Sequence, residues 1–306
     1  MKLIIFDVGN AFCSIISSPN GYGMMIDCGS HGDKACPVDL ILDPKACKTW
    51  LGLKNFTPTS MGWCSYPYPL GLLHITHPDD DHVRNAKKIK EKLTPYSLTR
   101  RKFEEFPDGD RINCEYKEYL DEVYRETNPE TIDWGFDENA TFQIPMDILR
   151  KDKILSEKLR NNSSIIRLIK YNGTRILYTG DLETPAWEWL IENDSGFVKT
   201  IKNGIDIFIA PHHGHNSGFP QSLFDITGKM KMIIHSKGSE TNIEGTDVSN
   251  KYSANANGAS YLNLNDKAYY FGKVFTTRSN GHICIEIKCN SFDIVTSKAS
   301  SNHEKQ

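Results

Sequence analysis

The chain has 306 residues, 39% hydrophobic and 25% charged, with a formal net charge of −3. That composition builds a sizeable core and excludes a disordered or fibrous chain; the small net charge excludes a global field drawing the protein to nucleic acid or to an anionic membrane. No stretch nears the roughly 18 apolar residues of a spanning helix, and the eight cysteines form no C-x-x-C pair of a zinc knuckle.

"MKLIIFDVGNAF" has one lysine and an apolar run that stops at Asp7, too short for a signal-peptide core. The expectation is a cytoplasmic protein with reduced thiols and no membrane association. "KLIIFDVG" reads as a strand entering a turn, and "FCSIIS" and "GMMIDCG" as two more, the last ending near Asp27. Residues 30–69 are irregular and aromatic, a loop-rich insertion with a helix near residues 46–53. Its tryptophans and tyrosines read as packing or as a base-stacking platform. "LGLLHIT" is the next strand, and "HVRNAKKIKEKL" has helical composition. "CEYKEYLDEVYRE" and "IPMDILRKDKILSEKLR" also read as helices. "SSIIRLIKYNGTRILYTGD" is the clearest hairpin, because Asn172-Gly173 supplies positive φ between two apolar runs. "AWEWLIE" reads as a helix and "GIDIFIAPHHG" as a buried strand ending in two histidines. "MKMIIHS" and "KVFTTRSNGHICIEIK" supply late strands, the latter a hairpin around Asn280-Gly281. Residues 291–306 read as a polar, disordered tail. With no internal repeat or low-complexity linker, residues 1–290 are expected to form one domain.

Three apolar runs finish on residues that bind metals: "LHIT" on the cluster from His77 to His82, "RILYTG" on Asp181, and "DIFIAP" on His212 and His213. Strands of one sheet ending at one edge would bring them together. An acidic triplet is ordinarily a helix N-terminus favoured by the dipole, and Asp80 keeps that reading. For His77, Asp81 and His82 the spacing fits a metal-binding turn. His212 and His213, adjacent at a strand end, are expected to point opposite ways, one toward a metal and the other toward substrate or packing. The basic stretches "LTRRKFEEF" and "RNAKKIKEK" read as solvated faces or as a local phosphate track.

In order and spacing, "DVGNAF", "IDCG", "THPDDDH", "NNSS", "TGD" and "PHHG" resemble the motif set of the metallo-β-lactamase superfamily, in its ComEC-like branch. "VFTTRSNGHICIEI" is similar to that family's closing strand pair. The resemblance implies an α+β protein, an αββα sandwich with a metal site at one edge of two packed sheets. It implies two divalent metal ions, zinc or manganese: His77 and Asp79 on one, Asp81, His82 and His213 on the other, and Asp181 bridging. It also implies a metal-dependent hydrolase in which a metal-bound hydroxide attacks. Asp81 then ligates and orients, and His212 stabilises developing charge. Asp27 and Asp7 are expected as supports that orient ligands. Asn161 and Ser164 either hydrogen-bond near the first metal or simply form a turn. The implied substrate is nucleic acid or a small phosphodiester or nucleotide, making the protein a phosphodiesterase or nuclease. The alternatives are hydrolysis of a lactone, thioester or β-lactam ring, and a non-catalytic metal-binding or sensor module.

Three departures from the family pattern stand out. Asp79 replaces a histidine, which hardens the site and shifts it toward manganese or iron. Val83, Arg84 and Asn85 replace I-G-G, and Arg84 is placed to bind phosphate or to pair with Asp79 or Asp80. Ala11 and Phe12 replace the Gly and Asp of DVGQGD.

Overall fold

Leu3, Ile4 and Ile5 of strand β1 (Lys2–Ile5) are all fully buried. Successive side chains on a strand face opposite ways, so such a strand needs a packed layer on each side. The computed structural model supplies both, and describes the chain apart from residues 33, 43–69, 94, 107–111, 113–115, 122–131, 239–247, 299 and 301–302. The other strands are β2 (Cys13–Ser17), β3 (Gly23–Cys28), β4 (Leu70–His74), β5 (Ser97–Thr99), β6 (Glu138–Phe142), β7 (Ile166–Tyr171), β8 (Thr174–Tyr178) and β9 (Ile207–Ile209). They continue with β10 (Met232–His235), β11 (Ala259–Asn263), β12 (Tyr269–Gly272), β13 (Val274–Thr276), β14 (Ile283–Lys288), β15 (Ser291–Thr296) and β16 (Glu304–Lys305). One sheet has the order β16-β12-β11-β15-β14-β1-β2-β3-β4-β5, the other β13-β10-β9-β8-β7-β6.

Leu3, Ile5, Ile26 and Leu72 of the first sheet pack between the sheets against Ile169, Ile176, Ile207 and Ile234 of the second. On the outer face of the first sheet, Ile4, Ile15, Met25 and Leu73 meet Val38, Ile41, Val83 and Ile89 of the helices Pro37–Leu42, Asp80–Val83 and Ala86–Lys92. On the outer face of the second, Leu168, Leu177, Phe208 and Ile233 meet Trp187, Leu190, Phe197, Leu223 and Tyr252 from helices within residues 184–254. The layers are therefore helix, sheet, sheet, helix. Each fully buried aliphatic side chain is worth about 1.5–3 kcal/mol relative to exposure, so the intersheet layer and both helix-covered faces all contribute to the fold's cohesion. Among the described residues no helix is long and apolar enough to cross a membrane.

The hairpin β7–β8 forms as expected, with Asn172 and Gly173 at φ 48° and 80°. Four expectations need correction. The segment around Asn280-Gly281 is not a hairpin: β13 pairs with β10 in the second sheet, whereas β14 pairs with β1 and β15 in the first. A short helix, Thr277–Asn280, makes the crossing, held by the Thr276 side chain accepting from Ser279 N and by Asn280 Oδ1 accepting from Thr276 N. The tail does not begin at residue 291, because "SFDIVT" buries Ile294 and Thr296 and pairs along β14. Within the tail, β16 also adds to β12. The helix expected over "IPMDILRKDKILSEKLR" breaks into Met146–Lys151, Lys153–Ser156 and Leu159–Asn162. Asp152 accepts from the backbone of Ile154 and Leu155, the bonding of an N-cap, and so restarts the chain. Finally, the strands ending on metal-binding residues lie in two sheets, β4 in one and β8 and β9 in the other. The helix expected near residues 46–53 and the aromatic residues 50–68 lie outside the described residues; of "CEYKEYLDEVYRE" only Tyr116–Asp121 is described, and it is helical, in the π form. The described part of the 30–69 segment contains the helix Pro37–Leu42, anchored by Val38 and Ile41.

Candidate metal centre

After β4 the chain passes Thr76 and His77 and turns into the helix Asp80–Val83, whose first turn carries Asp80 and Asp81. Gly29, just after β3, makes this turn possible, since a Cβ there would stand 1.5 Å from the Asp81 carbonyl oxygen. Phe12 N–H donates to that same oxygen at 3.0 Å, and the Phe12 ring stacks on His82. The residue that departs from the motif thus roofs a candidate ligand. From the other sheet, β8 leads through Gly180 at φ 57° to Asp181. A Cβ on Gly180 would lie 2.6 Å from Ser164 Oγ and 2.9 Å from Thr76 Cβ, so neither the conformation nor the space admits a side chain. After β9, His212 and His213 sit on a tight turn at φ 49° and 54° rather than on a strand. The turn, not strand alternation, separates them: their ring centroids are 6.4 Å apart.

Asp81, His82, Asp181 and His213 present ligand atoms that all lie within 4.8 Å of one another. His213 Nε2 is 3.1 Å from Asp81 Oδ2 and 3.7 Å from Asp181 Oδ2. His82 Nε2 is 3.1 Å from Asp181 Oδ1. His77 Nε2 lies 3.9 Å from Asp181 Oδ2 and 3.9 Å from Asp79 Oδ2. Asp181 therefore has one oxygen toward His82 and the other toward His77, His213 and His212, the last at 4.0 Å.

Each of the three inner histidines is held by its Nδ1. His82 Nδ1–H donates to Asp27 Oδ2 at 2.7 Å, and His213 Nδ1–H to the Ser236 carbonyl at 2.9 Å. His77 Nδ1 lies 3.1 Å from Thr76 Oγ, which itself donates to Asp27 at 2.8 Å. Asp27 also accepts from Thr76 N–H at 2.7 Å. These bonds assign the tautomers and aim all three Nε2 atoms at the carboxylates. Nε2 of His77 and of His82 is buried without hydrogen-bond geometry to any partner among the described residues. Buried polar atoms left unpaired cost free energy unless something meets them. Converging imidazole nitrogens and carboxylate oxygens are a donor set for a divalent cation of the zinc or manganese type.

The electrostatics follow from burial and proximity. Burial, and then the charge of His82, hold the His77 imidazole down to about 4. Burial opposes the charge on His82 too, but Asp181, Asp27 and Asp81 together outweigh it and raise its pKa. Burial works against ionised Asp181, but His82, His213 and His77 hold it well below the usual carboxylate range. Asp81 is likewise lowered, against its burial, by His82 and His213. Asp79 behaves differently: burial pushes it up to about 6 against the pull of Arg160, whose Nε stands 3.1 Å from Asp79 Oδ1.

The remaining expected residues fall around this cluster. Ser164 Oγ accepts from Asp181 N–H at 3.0 Å. Asn161 donates to Glu183 Oε1 at 3.1 Å, and Glu183 faces His212 Nδ1 at 3.5 Å. His212 Nδ1 also lies 3.1 Å from Ser217 Oγ. Burial disfavours a charged His212, but Glu183 and Asp181 raise its pKa. Glu183 and Arg160 carried no expected role; "TGDLE" and "LRNNSS" place them beside recognised motifs, which is the only sequence signal either gives. Arg84 points away, its Nη1 donating to the Ser30 carbonyl and its Nε 3.7 Å from Asp80. Asp80 is exposed at the helix start, as expected. Asp7 lies apart from the cluster: it takes Lys34 Nζ at 2.7 Å, and its N–H donates to His282. The basic stretches divide as well. Arg101 is buried against the carbonyls of Ser163 and Ile144, and Lys88 pairs with Asp39.

The chain is thus a mixed α/β protein, an αββα sandwich with a candidate metal centre where the carboxyl ends of β4, β8 and β9 converge. This is the architecture that the motif resemblance implied. No family model matches the chain, and no curated protein matches it. Among solved structures it is similar to the metallo-β-lactamase fold protein YhfI from Bacillus subtilis, with 10% identity, 92% of this chain and 99% of that one covered, and a TM-score of 0.44. It is also similar to human tRNase Z, short form (ELAC1), with 12% identity, 78% and 93% covered, and a TM-score of 0.33.

Proposed function

We propose that this protein is a metal-dependent hydrolase of the metallo-β-lactamase type whose preferred substrates are phosphodiesters, either nucleic acid or a small nucleotide. The observation that carries the reading is the set of three histidines tied back through Nδ1, with Nε2 atoms converging on Asp81 and Asp181. Asp81, His82, Asp181 and His213 would hold one ion; His77 and Asp79, with Asp181 shared, would hold a second. When bound, such ions supply Lewis acidity and lower the pKa of water.

The chain's own residues do the rest. Asp27 and Thr76 fix the rings of His77 and His82, and Ser164 fixes the backbone of Asp181. Asp81 Oδ2, beside His213 Nε2, orients a water for attack. His212 presents Nε2 toward the cluster and holds a proton that Glu183 stabilises through Nδ1, so it is placed to protonate a leaving oxygen. The preference for a phosphodiester over a lactone, thioester or β-lactam rests on the ComEC-like motif order. The test is purification with zinc or with manganese, metal analysis, and turnover of bis-p-nitrophenyl phosphate, single-stranded DNA, RNA and cyclic nucleotides against a lactone and a β-lactam. Bound metal with phosphodiester turnover is the expected result. Turnover of the carbonyl substrates alone would reassign the substrate class, and an intact fold that takes up no metal would make the protein a non-catalytic module.

A further inference from the structure

In β7, Ile166 and Leu168 face the helix layer and Ile169 faces the other sheet. By the period of two, Arg167 shares the inward face of Ile169. Its cross-strand neighbours are Thr141 on β6 and Tyr178 on β8. An arginine at an intersheet position is expensive to bury and ordinarily finds a carboxylate. Arg167 is 3% exposed. Its Nη1 donates to Asn139 Oδ1 at 2.6 Å and its Nη2 to Thr99 Oγ at 3.4 Å, both neutral acceptors. Its Nε has no partner among the described residues. Burial alone lowers its pKa, to about 10, so the guanidinium keeps its charge at neutral pH.

The reason for this exposure to an unpaired charge lies in the sheet edges. β5 ends the first sheet and β6 ends the second. Asn139 and Thr141, on the inward face of β6, are exposed rather than covered by a facing strand. The space left there is a cleft of about 400 Å³ with Arg167 in its wall. Trp134 and Phe136 line it too, their rings near parallel at 8° and 6.0 Å apart. The indole Nε1–H of Trp134 is a second buried donor without a partner among the described residues. Asp133 stands in the same lining and is exposed, with one oxygen taken by Gly135 N–H.

We propose that this cleft is a second ligand site, separate from the metal centre, that binds a small organic monoanion: a carboxylate or phosphoryl group carried on a planar apolar body. Among the described residues the guanidinium is the one positive charge in the lining, with no carboxylate bonded to it, and attracts the anionic group. The Trp134–Phe136 wall covers the planar body. The Asp133 carboxylate at the rim repels further negative charge, which favours one anionic group over several. The cleft lining contains none of the candidate metal ligands. The ligand is therefore not expected to touch the metal ligands.

The experiment uses the full-length, metal-loaded protein and isothermal titration with benzoate, phenylphosphonate and neutral benzamide. The expected result is saturable one-to-one binding of benzoate or phenylphosphonate, with benzamide weaker by about ten-fold or more. The stronger of the two anions identifies the group as carboxylate or phosphoryl. Arg167→Met should weaken binding by about ten- to a hundred-fold, the worth of charge-assisted hydrogen bonds. Phe136→Ala removes part of the apolar wall; it should weaken binding several-fold and serves if Arg167→Met does not fold. Failure of both anions to bind the wild-type protein would overturn the proposal. So would undiminished binding in the variants, or binding that Asp181→Ala abolishes and Arg167→Met leaves alone, which would place the anion at the metal centre.

Discussion

Replacing Asp27 by asparagine exchanges a single heavy atom and tests the logic of the whole centre. Asp27 accepts three hydrogen bonds, from Thr76 N–H, Thr76 Oγ and His82 Nδ1–H. An asparagine has one acceptor oxygen in place of two and sets an NH2 group against groups that also donate. If its oxygen keeps the Thr76 N–H, its amide faces His82 Nδ1. The imidazole must then carry its proton on Nε2, which is useless as a metal ligand. If the amide is turned round, it opposes Thr76 N–H instead. Either way at least one charge-assisted bond is lost, about 1.5–3 kcal/mol. Partners that orient a ligating histidine are typically worth 10- to 100-fold in metal affinity, or roughly 1.4–2.8 kcal/mol. The two figures agree because both describe the same proton position. Asp27→Asn should therefore weaken zinc or manganese binding by one to two orders of magnitude in isothermal titration, while circular dichroism still reports a folded protein. Metal affinity equal to the wild type, with the fold intact, would refute the claim that Asp27 sets the tautomer of His82.

Asp181→Ala should abolish uptake at both half-sites, since Asp181 faces His82 and His213 of one and His77 of the other; metal analysis retaining two equivalents would contradict the bridging role. Asp79→His should favour zinc over manganese, because it removes one of three carboxylates and softens the half-site of His77 and Asp79; competition titrations measure this. Gly180→Ala forces a Cβ into Ser164 at a positive φ and should cost about 1–3 kcal/mol, seen as a lower urea midpoint. Glu183→Gln removes a carboxylate that raises the pKa of His212. A raised pKa means that the protonated form survives to higher pH, so the alkaline limb of a pH–rate profile should move to lower pH in Glu183→Gln, and an unmoved limb would exclude His212 as the proton donor.

The β7–β8 hairpin was legible because local chemistry decides it: a turn pair between two alternating apolar runs. The layered fold came from the motif resemblance, not from local chemistry; strands buried on both faces are its physical counterpart in the structure. The false hairpin at Asn280-Gly281 shows the limit of that reasoning. The same turn chemistry serves a chain passing between sheets, and only the partners of Val274–Thr276 distinguish the cases. The cluster of His77, Asp81, His82, Asp181 and His213 could be read from order and spacing. Arg160 and Glu183 could not, because each meets its partner from a separate element: Arg160 reaches Asp79 from 81 positions later in the chain, and Glu183 holds a histidine 29 positions on. Arg84 shows the converse, a residue close in sequence to the ligands whose side chain the helix turns outward.

The ligand cluster draws Asp81 and His82 from one sheet and Asp181 and His213 from the other. An ion held there would act as a non-covalent crosslink, closing loops of about a hundred residues at an end where hydrogen bonds such as Ile165 N–H to the Thr76 carbonyl and Ser236 Oγ to the Ala11 carbonyl also join the sheets. Its binding free energy would then be partly a clasp on the sandwich, adding stability in proportion to the logarithm of free ion concentration. The consequence concerns turnover as much as chemistry: under metal starvation the mouth between the sheets is where backbone amides should first exchange and proteases first cut. The supply of ions would set how long the protein lasts as well as how fast it works.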